Sequence, residues 1–265
     1  MAALELNPVT AARVVVLGAS NVSRGLARMA AITRGRVGGP LDLFVTAGHG
    51  RSYGANSRVA ARRLPSILAS GLWRALERRS APSDPPRRPL ALVTDIGNDL
   101  LYGFSAEQVA AWVREAVRRL ADRGGRIAIT RLPLASLATV GPARFRVLRT
   151  CFVPGCRLSL EALVAAAADL DARIAEVAAD HAATLIEQPG AWYGLDAIHL
   201  RRHQLDALWQ AAGDAWQLPA ASARATWRDW AAFGSRAAEV RSLARRPRYT
   251  PQPVVHRRDL GLWLY

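Results

Sequence analysis

Ser20, Asp196 and His199 are the three residue types that perform acyl transfer when they meet in space. A serine hydroxyl is a weak nucleophile until a base takes its proton during attack. The base works only when a third group fixes its tautomer and orientation. Asp196-Ala-Ile-His199 has the spacing for that third role. On a turn entering a helix, the carboxylate folds back onto one imidazole nitrogen and leaves the other facing a crevice. Ser20 belongs to Gly18-Ala-Ser-Asn21, straight after the apolar run Arg13-Val-Val-Val-Leu17, so its hydroxyl stands at the end of a strand. An Asp-x-x-His spacing alone occurs by chance. Its place before the last helix of the globular part, in serine-first order, gives it weight.

Acyl transfer also needs donors for the negative oxygen of the tetrahedral intermediate, each worth about 2.7–4 kcal/mol when removed. Gly50 N–H, the Asn98 side-chain amide and Ser20 N–H are the candidates, from Gly48-His-Gly-Arg-Ser52 after Leu41-Asp-Leu-Phe-Val45 and Gly97-Asn-Asp99 after Leu90-Ala-Leu-Val-Thr94. Taken singly, Gly50 is equally an ordinary turn and Asn98 an Asx-turn. Gly48 and Gly54 compete with Gly50 for the role. Ser52 is a rival nucleophile, because Gly50-Arg-Ser-Tyr-Gly54 is a G-x-S-x-G elbow. An elbow turns directly from strand into helix, whereas here Gly48-His49 intervene and the next clear helix waits for Pro65. It also leaves Gly18-Ala-Ser-Asn21 and Gly97-Asn-Asp99 without work, so Ser20 is preferred.

Taken jointly, the four stretches resemble the sequence blocks of the SGNH (GDSL-type) hydrolases. Gly18-Ala-Ser20 matches the first block, Gly50-Arg-Ser52 the second, Gly97-Asn-Asp99 the third and Asp196-Ala-Ile-His199 the fifth. Ala19 stands where the family usually has an aspartate that is not a triad member. The resemblance spans roughly residues 13–217 and implies a flavodoxin-like three-layer α/β/α sandwich around a five-stranded parallel sheet. It also implies a catalytic triad of Ser20, Asp196 and His199, an oxyanion hole of Ser20, Gly50 and Asn98, and a serine esterase acting through an acyl-enzyme. No metal or organic cofactor is implied.

Apolar runs alternating with amphipathic stretches predict the elements that must carry these residues. Strands are expected at 13–17, 41–46, 90–95, 125–130 and 183–187. Helices are expected at 22–32, 65–78, 105–121, 158–182 and 200–216, with Ser105-Ala-Glu-Gln108 as a capping box. Residues 80–89 read as a proline-rich surface loop. Residues 132–156 read as a long excursion near the crevice mouth with a short helix at 143–149. In an open parallel sheet the ligand crevice lies beyond the carboxyl ends of the strands, where residues distant in sequence converge. Pocket walls are expected from 96–104, 132–156 and 187–195, with Tyr102, Phe104, Phe145, Phe152, Trp192 and Tyr193 as candidates for an apolar acyl site.

With 265 residues, 51% of them hydrophobic, the chain can bury a core without staples. Cys151 and Cys156 are expected to be small buried apolar side chains rather than a disulfide framework or metal site. His49 reads as a solvated loop residue. His181 reads as a helix-end residue, and His256-Arg-Arg-Asp259 as incidental. The amino terminus lacks the pattern of a signal peptide and no apolar run reaches bilayer length, which points to a soluble, cytoplasmic protein. A net charge of +15 raises nucleic acid as a partner, but all 36 basic residues are arginine and scatter along the chain. That distribution suits a coding bias better than a binding footprint.

A hydrolase domain is expected over 1–220 and a basic extension over 221–265, where nine arginines face three acids around Trp227, Trp230 and Trp263. A helix is expected at about 222–244. The extension wraps its own domain, forms a homo-oligomer contact or meets a membrane surface. A small-molecule ester is the expected partner. The competing reading is a non-catalytic binding or scaffold protein whose basic tail engages a partner.

Overall fold

The computed structural model describes residues 11–59, 62–78, 88–153, 155–194, 196–233, 239–242, 248–249 and 251–265. Most of the expected proline-rich loop lies outside them. The chain starts with β1 (Ala12–Leu17), α1 (Ser20–Val37) and β2 (Leu41–Thr46), followed by the short strands β3 (Ser57–Val59) and β4 (Arg62–Leu64). Then come α2 (Leu72–Arg78), β5 (Leu90–Val93), α3 (Asn98–Leu101), α4 (Ala106–Ala121) and β6 (Arg126–Thr130). The excursion holds α5 (Leu134–Leu137) and α6 (Pro142–Phe152), before α7 (Leu160–Asp180), β7 (Thr184–Ile186) and α8 (Leu205–Ala215). The last part contains α9 (Trp227–Phe233), β8 (Glu239–Ser242), β9 (Arg248–Tyr249), β10 (Val255–Arg257) and β11 (Leu260–Leu264).

The five expected strands are β1, β2, β5, β6 and β7, and they lie parallel in the order β2-β1-β5-β6-β7. In units of those five strands the order is 2-1-3-4-5, the flavodoxin-like winding, whose switch point falls between β1 and β5. Val14 to Leu17 are fully buried, which explains why β1 reads as an unbroken apolar run rather than an alternation. Right-handed crossovers put α1 on one face of the sheet and the helices after β2, β5 and β6 on the other. Accordingly α1 packs on α8 and α4 on α7, giving three layers. Leu17 pairs with Thr46 on one side and Val93 on the other. The loops that follow these three strands therefore leave the sheet at one level.

Local chemistry sets the helix ends. Ser105 accepts from Gln108 N at 3.2 Å and Ser159 from Ala162 N at 3.1 Å, fixing the starts of α4 and α7. The expected helix at 65–78 begins only at Leu72, because residues 67–70 form a turn in which Ser70 Oγ donates to Ile67 O.

The sheet has seven strands, not five. Leu260 to Leu264 is buried throughout and pairs parallel to β2, with Trp263 stacked on Phe44 at 4.6 Å between centroids. β10 pairs antiparallel to β11 and closes that edge. Nor does a helix run over 222–244. Thr226 and Asp229 form a reciprocal cap that starts α9 at Trp227, and Gly234 follows its last residue. β3, β4, β8 and β9 make a second, four-stranded sheet that the sequence pattern did not indicate. Cys156 is buried as expected, but Cys151 is exposed on α6. Among the described residues no helix is long and apolar enough to cross a membrane.

Candidate active site

The Gly18-Ala19 turn carries the chain from β1 into α1, and Ser20 is the first residue of that helix. Gly18 has no room for a side chain, since a Cβ there would lie 2.4 Å from Val22 Cγ2 and 2.9 Å from Thr94 Cγ2. The tightness holds Ser20 close over the ends of β1 and β5. Ser20 is 4% exposed, so a reactant must enter the crevice to reach it.

Asp196 folds back on its own turn as its spacing predicts. Its Oδ2 lies 2.7 Å from His199 Nδ1, while Oδ1 accepts from His199 N at 2.7 Å and Ile198 N at 3.2 Å. Ala197 supplies the bend with a left-handed φ of 52°, a conformation that costs a non-glycine residue about 1–2 kcal/mol. Burial works against ionisation of Asp196. The bonds from the His199 ring and amide and from the Ile198 amide outweigh it and hold the carboxyl below its ordinary pKa. With that carboxylate ionised and accepting, Nδ1 is the donor of the pair.

Asn21 joins the two halves. Its Nδ2 donates to Ile198 O at 3.1 Å and its Oδ1 accepts from Leu200 N at 3.0 Å, gripping the chain on both sides of His199. The same Nδ2 donates to Asp95 Oδ1 at 2.8 Å. Asp95 Oδ2 in turn accepts from Ala19 N at 2.8 Å and Asn21 N at 3.0 Å. The carboxylate beyond β5 thus holds the amides on either side of Ser20 and leaves Ser20 N–H, the first amide of a helix, without an intrahelical acceptor.

The second loop sets its glycines apart by their hydrogen-bond partners. Gly48 N donates to Ala19 O at 3.3 Å and Gly54 N to Ser52 Oγ at 3.2 Å. Among the described residues Gly50 N has no partner, and its φ of 69° is one that glycine adopts without strain. Gly50 O accepts from Tyr102 Oη at 2.8 Å, which fixes the following peptide. Burial, with Asp99 nearby, raises the Tyr102 pKa to about 12, so the hydroxyl stays protonated as the donor. Arg51, 1% exposed, anchors the loop from behind through Ala47 O at 3.2 Å and the backbone oxygen of Tyr265.

Ser52 is fully buried, and its Oγ accepts from Gly54 N and Ala55 N at 3.2 and 2.9 Å. That hydroxyl caps a turn leading into β3 rather than a helix, so the elbow geometry is missing. Asp99 is fully buried and its Oδ2 accepts from Tyr53 N at 2.9 Å.

Asn98 opens α3 and lines a cavity of about 100 Å³ together with Asn21, Asp95 and Asp196. Its far walls are apolar, with Leu134, Leu137, Val140, Phe145 and Leu148 from the 132–156 excursion and Tyr193 from the loop before Asp196. Of the expected aromatic wall, Phe145 and Tyr193 are in place. Tyr102 holds Gly50 instead, Phe104 packs edge-on against Trp112 at 4.8 Å, Trp192 is not in the wall, and the Phe152 side chain lies outside the described residues. Ser20, Gly50 and His199 do not line this cavity. His49 is exposed, and His181 caps the end of α7. No group of His, Cys, Asp and Glu suited to a metal ion occurs among the described residues.

Asn21, Asp95 and Tyr102 are the site residues whose roles the sequence did not reveal. Asn21 had one signal, its place beside Ser20.

No family model matches the chain, and no curated protein matches it in sequence. Among solved structures it is similar to the psychrotrophic esterase EstA from Pseudoalteromonas sp., at 13% identity and a TM-score of 0.45, over 77% of this chain and 96% of that one. It is also similar to a proposed arylesterase from Agrobacterium tumefaciens str. C58, at 15% identity and a TM-score of 0.49, over 78% and 98% of the two chains. A member of the lipolytic protein G-D-S-L family from Veillonella parvula DSM 2008 is similar at 15% identity and a TM-score of 0.41, over 78% and 97%. At such identities the likeness is one of fold alone.

Proposed function

We propose that the protein is a serine hydrolase that cleaves a carboxylic ester through an acyl-enzyme. One observation carries the reading: Asn21, next to Ser20, grips the residues on both sides of a histidine whose other nitrogen is already bound to Asp196. A binding protein has no need for that arrangement beside two unpartnered backbone amides.

In this reading Ser20 Oγ bonds to the ester carbonyl carbon while His199 Nε2 takes the hydroxyl proton and Asp196 stabilises the imidazolium. The carbonyl oxygen becomes an oxyanion held by Ser20 N–H, Gly50 N–H and the Asn98 amide. On collapse the bond to the leaving alkoxide breaks, and His199 returns the proton to that oxygen. Water then repeats the attack on the acyl-enzyme and frees the acid and Ser20. Another alcohol in place of water gives acyl transfer by the same steps. The apolar cavity beside Asn98 and Asp196 offers room for the acyl group.

The test is hydrolysis of p-nitrophenyl acetate and butyrate, with fluorophosphonate labelling and peptide mapping, by wild type, Ser20→Ala and Ser52→Ala. Turnover and label are expected to vanish in Ser20→Ala and to persist in Ser52→Ala. Label on Ser52 would overturn the assignment, and an inert, unlabelled wild type would return weight to a binding role. Asp196→Asn, which favours the wrong tautomer, is expected to lower kcat on the order of 10⁴-fold with KM little changed.

A further inference from the structure

Two tryptophans break the burial pattern of the chain. Trp227 is 74% exposed and Trp230 46%, whereas Trp73, Trp209, Trp216 and Trp263 are at 5% or below. Lying three residues apart on α9, the two exposed rings share a helix face. Their exposure is set by the opposite face. Asp229 and Phe233 are buried at 3% and 7%, Asp229 pairs with Arg257 at 2.9 Å, and Thr226 caps the helix start. A bulky apolar pair held outward by firm anchoring marks an interaction surface.

The surroundings are cationic. Arg224, Arg228 and Arg258 are exposed and have no acidic partner among the described residues, and Arg228 lies over the Trp227 ring at 5.5 Å. Arg258 sits in the β10–β11 turn, which the Arg257–Asp229 pair ties to α9. Of the acids here with described side chains, Asp229 is taken by Arg257 and Asp259 by Arg34 at 2.9 Å.

We propose that this face docks on an anionic lipid bilayer, with Trp227 and Trp230 entering the headgroup region and the three arginines meeting lipid phosphates. Indole rings, apolar with one polar N–H, settle at that boundary. Two other occupants fit less well. A second copy would bring together two chains of net charge +15. Single-stranded nucleic acid stacks its bases along grooves, whereas a ring 74% exposed stands clear of the surface.

The patch lies far from the crevice. The segment leading into α9 meets α1 near its far end, where a Cβ on Gly35 would come within 2.8 Å of Ala223 Cβ. At about 1.5 Å per residue, Gly35 is roughly 22 Å along α1 from Ser20. The docked protein therefore presents its crevice away from the bilayer, and docking stands whether or not the chain hydrolyses esters.

The full-length chain is to be sedimented with vesicles of phosphatidylcholine alone and of phosphatidylcholine with phosphatidylglycerol, at low and high salt. Binding is expected only with the anionic vesicles, and salt should weaken it. It should fall about fivefold for each of Arg224→Gln, Arg228→Gln and Arg258→Gln. Trp227→Ala with Trp230→Ala should lower it on the order of tenfold or more, with an unchanged Tm showing that the fold is intact. Equal binding to neutral vesicles, undiminished binding by the double tryptophan variant, or no sedimentation of wild type would each overturn the proposal. So would a labelled single-stranded oligonucleotide that binds through the same tryptophans and displaces the vesicles, or a dimer that the double variant abolishes.

Discussion

In the proposed reaction, Asn21 sets the geometry of His199 without touching a reacting atom. Its side chain satisfies Asp95, Ile198 and Leu200 at once, so removing it frees the turn that carries His199 and leaves partly buried donors and acceptors unmatched. Asn21→Ala is expected to lower kcat on the order of a hundredfold, because small displacements of a base cost that much. KM for p-nitrophenyl butyrate should change little. A rise in KM with kcat intact would mean that Asn21 only lines the cavity. Tyr102→Phe is the milder companion, since it removes one hydroxyl from Gly50 O and leaves the ring. A net hydrogen bond of about 0.5–1.5 kcal/mol corresponds to a drop in kcat of roughly twofold to tenfold. Unchanged kcat in Tyr102→Phe would show that the Gly50 loop keeps its shape unaided.

At the scale of elements, the carboxyl-terminal strand connects the rim of the sheet to the site. β11 lies against β2, and Arg51 reaches from beside Gly50 to the backbone of Tyr265, just past the end of β11. Gly261 is the sensitive point. A Cβ there would lie 2.5 Å from the Trp263 ring and 3.0 Å from Asp42 Oδ1, and the ring has no retreat because it stacks on Phe44. Gly261→Val should destabilise the protein by about 1–3 kcal/mol through overpacking, read as a lower midpoint in urea. Wild-type stability in that variant would mean that β11 contributes little to the sheet. This strand also marks where the sequence stops being legible. β1, β2, β5 and β6 announce themselves as apolar runs, three of the four site stretches follow from residue types at strand ends, and the fourth from the Asp196–His199 spacing before the last helix. Leu260-Gly-Leu-Trp-Leu264 has the same apolar character, yet it follows a proline- and arginine-rich segment and pairs with a strand more than 200 residues earlier. Composition nearby outweighed pattern. The Asn21 and Asp95 bonds were illegible for a related reason, since they link positions 74 to 179 residues apart and leave no local periodicity.

Across the whole molecule, half-buried Asp196 and fully buried Asp99 bend the dependence of stability on pH in opposite directions. Asp196 is held below its ordinary pKa, so its contribution is present above the unfolded value and is lost as pH falls through the folded one. Asp99 behaves in reverse. Burial raises its pKa from 3.8 to about 6, with the Ser52 hydroxyl and Tyr53 amide pulling the other way, and its Oδ1 has no hydrogen-bond partner. The folded state therefore holds the Asp99 proton more tightly than the unfolded state. Stability is highest below the unfolded pKa and declines until pH passes the folded one. A shift of about two units corresponds to roughly 3 kcal/mol. Asp99→Asn keeps an oxygen acceptor for Tyr53 N–H and removes the buried charge. The variant should match wild type near pH 4 and exceed it by about 3 kcal/mol near pH 7, with the gap opening between those values. Urea unfolding of both proteins at a series of pH values reads this difference directly, and the many surface charges cancel in the comparison. A constant gap would show that Asp99 ionises freely, and the carboxylate beside Asn98 would then need a cationic partner to hold it.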